Sequence, residues 1–156
     1  MTFDSRGFRN ALGCFPTGIV VVTAGHPGAW RGITVNSFTS VSLDPPLILW
    51  CIAKSSRRYE LFTKAAEFTV SVLSEAGRAA AEAIAQAGEG DLGTVPLENC
   101  DAGPPAIAGS VAVFECSQEA LHEGGDHVIV VGRVKTFRCQ DGAPLTFFRG
   151  KYRTLS

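Results

Sequence analysis

Two long strand-like segments joined by a short turn most restrict what this chain can fold into. Residues 110–121 and 127–139 each predict a β-strand, and the glycines in residues 122–126 between them predict a turn. Both segments exceed the usual strand length of about five or six residues. Long, strongly coiled strands are typical of antiparallel barrels. The chain is therefore predicted to be a mainly β protein built on an antiparallel barrel.

The remaining segments fit the same architecture. Further strands are predicted at residues 18–23, from about Trp30 to residue 43, at 47–53 (buried on both faces), at 67–73, and after the turn at 140–144. Helices are predicted at the N-terminus (capped by Asp4 or Ser5), after Ser55 or Ser56, and at residues 74–87. Because strands do not alternate strictly with crossover helices, a doubly wound parallel sheet is not expected. We expect one domain over residues 1–156, with peripheral helices and a long irregular segment at 88–109.

Composition and charge argue against several kinds of partner. The formal net charge is −1 and no basic patch is interleaved with aromatic residues, so we expect no nucleic acid and no membrane as partner. Apolar runs such as residues 18–22 and 47–53 are too short to cross a bilayer as helices. The five cysteines show no metal-ligand spacing. We expect reduced thiols in a cytoplasmic protein without a metal site, and a catalytic thiol remains the alternative.

One segment carries an unusual density of small, neutral polar groups. In GITVNSFTSVSLDPP, residues 32–46, one side of the predicted strand carries Thr34, Asn36, Ser40 and Ser42. A flavin ring needs neutral donors and acceptors at its edge and apolar atoms on its faces, and this segment offers both. The alternative is a wet sheet face whose hydroxyls contact water or neighbouring turns.

Three further segments carry groups suited to a nucleotide. Residues 54–58, KSSRR, could bind a phosphate at a strand-to-helix junction, or form a solvated basic helix start. His127 suits the edge of a cofactor, although a histidine after a turn is often a surface residue. Residues 147–153, FFRGKYR, could stack on a nucleotide or pack the C-terminal segment onto the barrel. Neither a dinucleotide glycine motif nor a P-loop accompanies them.

Four motifs in order resemble the short-chain flavin reductase family, the reductase components of two-component flavin-dependent monooxygenases. FRNALGCFPTGIVVVT, residues 8–23, is similar to the family's FRxALxxFPTGVxVVT. GITVNSFTSVSLDPPLILWCIAKSSR, residues 32–57, is similar to its central polar strand and the segment that follows. GDHVIVVGRV, residues 125–134, resembles GDHxxxxGxV, and PLTFFRGKYR, residues 144–153, resembles PLxxxxGxY(R). The resemblance covers nearly the whole chain.

The resemblance implies a fold, a reaction and partners. The fold would be an antiparallel split β-barrel that binds FMN or FAD, usually as a homodimer with flavin near the subunit interface. NADH or NADPH would pass a hydride to the flavin, and the reduced flavin would serve a partner monooxygenase. The alternatives are a non-enzymatic flavin-binding electron carrier, and an oxidase resembling those that act on pyridoxine phosphates, which the GDH and GKY segments fit poorly.

The resemblance also assigns site residues by their positions in the motifs. The flavin ring and ribityl chain would contact Thr34, Val35, Asn36, Ser37, Ser40 and Ser42. The flavin would continue toward its phosphate along Cys51, Ile52, Ala53, Lys54 and Ser55, with Arg58 a further candidate. Pro16, Thr17 and Gly18 would approach the flavin from the first strand. On the nicotinamide side, His127 would be the catalytic residue, with Arg149 and Tyr152 near the pyridine nucleotide.

One segment departs from the family pattern. Members often carry a basic residue and a phenylalanine after the long helix, where this chain has Gly-Asp-Leu-Gly at residues 90–93. The contact of this loop with flavin, and the preferred flavin, therefore stay open.

Overall fold

A seven-stranded antiparallel sheet dominates the structure, a computed structural model that describes residues 2–155. Its strand order is β3-β2-β6-β9-β10-β5-β4. The strands are β2 (Val20–Ala24), β3 (Arg31–Val35), β4 (Thr39–Leu43), β5 (Pro46–Ala53), β6 (Glu67–Val72), β9 (Ala112–Gly124) and β10 (His127–Cys139). Every neighbouring pair is antiparallel.

Two smaller sheets and four helical segments complete the fold. One sheet pairs β1 (Thr17–Gly18), β11 (Thr146–Phe148) and β12 (Lys151–Arg153), and the other pairs β7 (Leu97–Glu98) with β8 (Ala106–Ile107). The helical segments are α1 (Ser5–Leu12), α2 (Tyr59–Lys64), a 3₁₀ turn (Glu75–Gly77) and α3 (Arg78–Gln86). No helix in residues 2–155 is long and apolar enough to span a membrane.

The predicted long hairpin is confirmed. Strands β9 and β10 have 13 residues each, and only Gly125 and Asp126 separate them. Two register shifts in the β9–β10 pairing, between Val131 and Gly132 and between Val134 and Thr136, interrupt the ladder. Such bulges increase local twist, which helps a long hairpin to coil around a core.

The polar segment at residues 32–46 is not one strand, as its alternation predicts, but two. Strands β3 and β4 lie at opposite edges of the sheet, and residues 36–38 connect them. Seven flat strands would hold these edges about 29 Å apart, whereas the steps from Val35 to Thr39 span at most about 14 Å. The sheet must therefore curl until its edges approach each other. Since β3 and β4 are the two unpaired ends of the order, the barrel is split, and the predicted fold class is confirmed.

The barrel interior is filled by alternate residues of its strands. On β5 the inward residues are Ile48, Trp50 and Ile52, and the Trp50 ring packs edge-on against Phe62 and Phe68 at 5.5 and 5.9 Å. The other face of β5 is only half-buried, so the prediction of a strand buried on both faces was wrong. An antiparallel barrel strand has an outer face that other layers need not cover.

The long segment at 88–109 is held to the outer face of the sheet by buried polar side chains. The Thr23 and Thr69 hydroxyls donate to the carbonyls of Pro105 and Pro104, at 2.6 and 2.7 Å. The buried Glu115 carboxylate accepts from the backbone N–H groups of Asp101 and Ala102. These bonds fix a segment that sequence alone predicts as irregular.

Helix α2 begins at Tyr59, later than predicted. The Ser56 hydroxyl oxygen accepts from the Arg58 backbone N–H at 3.2 Å, which forms a turn ahead of the helix and not its cap. Helix α1 follows the prediction, because the Asp4 carboxylate accepts from the Gly7 N–H at 2.9 Å and Gly13 ends the helix.

Candidate functional site

A cavity of about 420 Å³ lies where the ends of β3, β5 and β10 meet the end of α3. Its lining consists of Ile33, Thr34, Val35, Cys51, Ile52, Ala53, Ser56, Arg58, Ala85, Gly88 and His127. Six of the predicted flavin contacts and His127 are therefore brought together by the fold.

Strand pairing explains why these distant segments converge. Because β5 and β10 are antiparallel, the end of β5 lies beside the start of β10, with Ala53 opposite His127. The pairing continues past the strand, where the Lys54 N–H donates to the Asp126 carbonyl at 2.9 Å. Strand β3 reaches the same place because the barrel curls. The site thus depends on closure of the barrel.

The lining is apolar and neutral apart from Arg58 and His127. The Thr34 hydroxyl donates to the Ala81 carbonyl of α3 at 2.9 Å, which leaves an oxygen lone pair as an acceptor. Burial raises the pKa of the Cys51 thiol, against a smaller opposing effect of its hydrogen bond with Ser37. Cys51 is therefore a neutral group at physiological pH, and none of the described residues that line the cavity carries a carboxylate.

His127 lies partly exposed at the rim of the cavity. Its Nδ1 is 2.8 Å from the Asp126 carboxylate, and this hydrogen bond holds the pKa of Asp126 below its usual range. A carboxylate at Nδ1 favours the tautomer with the proton there, which leaves Nε2 as an acceptor when the ring is neutral. The Asp126–His127 pair therefore fixes the ring's orientation.

The other polar residues of the polar segment at residues 32–46 lie outside the cavity. Ser37 bridges the connection to β5, because its hydroxyl oxygen accepts from the Cys51 N–H at 2.9 Å and its O–H donates to the Cys51 carbonyl at 3.3 Å. Asn36 and Ser40 are exposed, and Ser42 is half-buried on β4.

The basic segment is divided by the turn before α2. Lys54 and Ser55 are exposed, and the Lys54 ammonium pairs with Glu123, which raises the pKa of Lys54. Arg58 instead points inward and is 8% exposed. Its guanidinium donates to the carbonyls of Ile84, Ala87 and Gly88 at the end of α3.

The remaining predicted site residues, Pro16, Thr17, Gly18, Arg149 and Tyr152, lie in or beside the small three-stranded sheet, and none of them lines this cavity. Thr17 pairs with Phe147 in that sheet. Arg149 lines a second cavity of about 400 Å³, together with Arg9 and Cys14. Tyr152 packs on Phe147 at 5.5 Å, beneath the Arg78 guanidinium, and lines a third cavity of about 240 Å³. Within one copy of the chain, this group and the His127 cavity are separate.

Sequence reasoning missed the wall that α3 contributes. Ala85 and Gly88 line the cavity, as do Ile33 and Ser56. The glycine that follows an alanine-rich helix marked the end of α3, but no local pattern indicated that this end faces β3. Another cavity, of about 650 Å³ between Trp30, Lys64 and Pro104, contains none of the predicted residues.

The five cysteines are free thiols. Cys116 is buried in the barrel, which raises its pKa to about 12. Burial likewise raises the pKa of Cys100. These shifts disfavour the thiolate that a cysteine nucleophile requires, in line with the prediction of reduced structural thiols.

The fold and the site together define an antiparallel split barrel with a largely apolar cavity where β3, β5 and β10 meet. Comparison with known proteins narrows the class. The family model described as "Flavin reductase like domain" matches residues 12–156, so the chain belongs to the flavin reductase family. The family and the enzyme class predicted from the sequence are confirmed.

Relatives and a solved structure agree with this membership. The chain is 46% identical over 153 residues to the FMN reductase (NADH) SmoA of Agrobacterium fabrum, covering 98% of this chain and 87% of that protein. It is 34% identical over 150 residues to HsaB of Rhodococcus jostii, the reductase subunit of a flavin-dependent monooxygenase, covering 96% and 77%. The NADH:FAD oxidoreductase SgcE6 of Streptomyces globisporus C-1027, solved with NAD and FAD fragments, superposes with a TM-score of 0.92 at 38% identity, covering 100% and 97%.

Proposed function

We propose that the protein reduces FMN or FAD with NADH or NADPH and supplies the reduced flavin to a separate monooxygenase. The observation that carries this proposal is the largely apolar cavity at the β3–β5–β10 junction, with His127 at its rim, in a chain of the flavin reductase family. A relative named FMN reductase (NADH) supports the proposed flavin reduction, and a relative named as the reductase subunit of a flavin-dependent monooxygenase supports the proposed supply to a monooxygenase.

The donor set of the cavity fits a flavin. Its volume of about 420 Å³ lies in the usual range for a small-molecule site. Ile33, Val35 and Ile52 offer apolar surface for a ring face, while strand backbone and neutral side chains offer hydrogen bonds at a ring edge. Because none of the described lining residues carries a carboxylate, a negatively charged group such as a phosphate would meet no carboxylate repulsion there.

The chain's own residues would bind and orient the reactants. Bound flavin would supply the hydride acceptor, so most of the chemistry belongs to the cofactor. Thr34 and the end of β5 would hold the ring, and the neutral Cys51 thiol would add no charge beside it. His127, held by Asp126, would present Nε2 to the nicotinamide side. The protein's contribution is then mainly positioning of the two reactants.

A homodimer would complete this site. Helix α1 has no buried residue, and Phe3, Phe8 and Leu12 are all exposed, with the rings of Phe3 and Phe8 in edge contact at 5.4 Å. Apolar side chains clustered at a protein surface often mark an interaction site. In the proposed dimer, the predicted contacts of the small sheet, Arg149 and Tyr152 among them, would reach the cofactors from the second copy. We also propose a cytoplasmic location, which the free thiols support.

Flavin binding and turnover test the proposal separately. Titration of FMN and FAD with the protein should quench flavin fluorescence, and absence of binding to either flavin would overturn the proposal. Oxidation of NADH and NADPH should then be followed with each flavin in turn. Tight flavin binding without oxidation of either nucleotide would favour the non-enzymatic electron carrier.

A further inference from the structure

Two adjacent arginines occupy opposite environments at the start of α2. Arg57 is exposed, whereas Arg58 is 8% exposed although it carries a charge that favours water. Burial lowers the pKa of Arg58, but an arginine remains charged at neutral pH. A buried guanidinium needs partners, and those of Arg58 lie within the protein.

The partners of Arg58 are backbone carbonyls at the end of α3 and just beyond it. Arg58 Nη2 donates to the Ile84 carbonyl at 2.9 Å and to the Ala87 carbonyl, and Nε donates to the Gly88 carbonyl at 3.4 Å. The last carbonyls of a helix have no partner within it, and a cation near them is favourable. Arg58 thus joins the β5–α2 turn to the end of α3.

The loop that follows α3 continues from this contact to strand β3. The Gly32 N–H donates to the Gly90 carbonyl at 2.8 Å, and Arg31 forms a β-bridge with Asp91. Gly90 has φ +76°, and a Cβ there would lie 2.4 Å from the Gly32 carbonyl oxygen and 3.1 Å from Arg58 Cδ. Residues 87–91 therefore lie closely between Arg58 and β3, with little room for adjustment.

This arrangement forms one wall of the cavity. Gly88 and Ala85 line it from the α3 side, and Thr34 lines it from β3 while bonded to the Ala81 carbonyl. If the end of α3 and the loop moved away, the cavity would lose this wall even though no ligand contact had been changed directly.

We propose that Arg58 is a positioning residue, which holds the end of α3 and residues 87–91 against the cavity and does not bind the flavin phosphate. The proposal rests on the proposed flavin site, and it differs from the contact toward the flavin phosphate that the resemblance implies for Arg58. Its Nε and Nη2 donors are directed at backbone carbonyls, which a phosphate at these atoms would have to replace.

Riboflavin and FMN distinguish the two roles, because only FMN carries a phosphate. Arg58→Met should weaken the binding of both by the same factor. If the closed loop is populated in about a tenth of the molecules, that factor is about tenfold. The matched control is Lys64→Met, an exposed cation on α2, which should bind both flavins as the wild type does. The proposal would be overturned if Arg58→Met weakened the binding of FMN alone, or if it bound both flavins as the wild type does.

Gly90→Ala provides a second variant that leaves the arginine in place. The added Cβ should displace the loop and weaken the binding of riboflavin and of FMN by the same factor. Unchanged binding would contradict the proposal. Hydrogen exchange of the Gly32 amide tests the same idea without ligand, since it should exchange faster in Arg58→Met and not in Lys64→Met. An equally protected Gly32 amide in Arg58→Met would overturn the positioning role. Failure of the wild type to bind either flavin would overturn only the proposed function.

Discussion

At the residue scale, most polar side chains around the cavity already have partners within the protein. Thr34 donates to a carbonyl 47 positions away, and Ser37 bonds with Cys51, 14 positions away. The sequence indicated that small neutral groups gather here, but the fold decides which hydroxyls are used internally. Ligand contacts in the cavity would therefore depend strongly on backbone groups, on Cys51 and on His127.

His127 is predicted to act on the nicotinamide side and not on flavin binding. His127→Ala should lower the rate of hydride transfer or raise KM for the nucleotide, by about tenfold for a lost positioned hydrogen bond. Flavin affinity should change little. Steady-state kinetics together with flavin titration measure both effects. Asp126→Asn should show a weaker change of the same kind, since the amide holds Nδ1 less firmly than the carboxylate.

The control for His127 is His122→Ala, on the exposed end of the same hairpin and outside the cavity. It should behave as the wild type. Normal turnover and normal nucleotide KM in His127→Ala would remove this residue from the site.

The Cys51 thiol is predicted to be alkylated slowly, and bound flavin is predicted to protect it from alkylation. Because burial raises its pKa above the usual 9.0, a smaller fraction is thiolate at any given pH, and the thiolate is the form that is alkylated. Alkylation at pH 8, followed by mass spectrometry, should therefore modify the exposed Cys139 before Cys51, and the rate at Cys51 should still rise above pH 9. Bound flavin should slow modification of Cys51 alone. Equal protection of both cysteines, or of neither, would contradict its position in the site.

At the element scale, the connection at residues 36–38 determines how the barrel is held together. Ser37 satisfies both the N–H and the carbonyl of Cys51, so the connection is fixed to β5 beside the cavity. Ser37→Ala leaves the half-buried Cys51 N–H without this acceptor and should lower the free energy of unfolding by about 1–2 kcal/mol. Urea denaturation measures the change, with the exposed Ser40→Ala as the control. Equal stability of the two variants would show that this bond contributes nothing.

Local sequence patterns predicted some elements and not others, for physical reasons. The β9–β10 hairpin and the cap of α1 follow from strand length, turn glycines and Asp4, all of which act between near neighbours. The break between β3 and β4 does not follow from local sequence, because it results from closure of the whole sheet. The same holds for Gly88 and Ala85, which enter the site only through packing of α3 against β3.

At the scale of the whole molecule, the predicted contacts form two groups that a single copy keeps apart. One surrounds the His127 cavity, and the other lies on the small sheet with Arg149 and Tyr152. The family motifs predicted all of them as one site, since motif matching does not say which copy supplies a residue. A second copy is the simplest way to unite the groups.

The protein is predicted to be a homodimer in which the apolar face of α1 is buried. Light scattering on a sizing column should give twice the 16.5 kDa chain mass. The double variant Phe8→Glu/Leu12→Glu should shift the protein toward the monomer, because it places charges in an apolar interface. Phe137→Glu, at an exposed position on β10, should remain dimeric. A monomeric wild type, or a dimeric double variant, would contradict this arrangement.

Catalytic reduction of free flavin tests the central claim most directly. The wild-type protein should be mixed without oxygen with a large molar excess of FMN or FAD and a still larger excess of NADH or NADPH, while flavin absorbance is recorded. We expect the whole flavin pool to be reduced, many equivalents per protein chain, with at least one pair of flavin and nucleotide. Reduction no faster than in the protein-free mixture, for every pair, would contradict a flavin reductase.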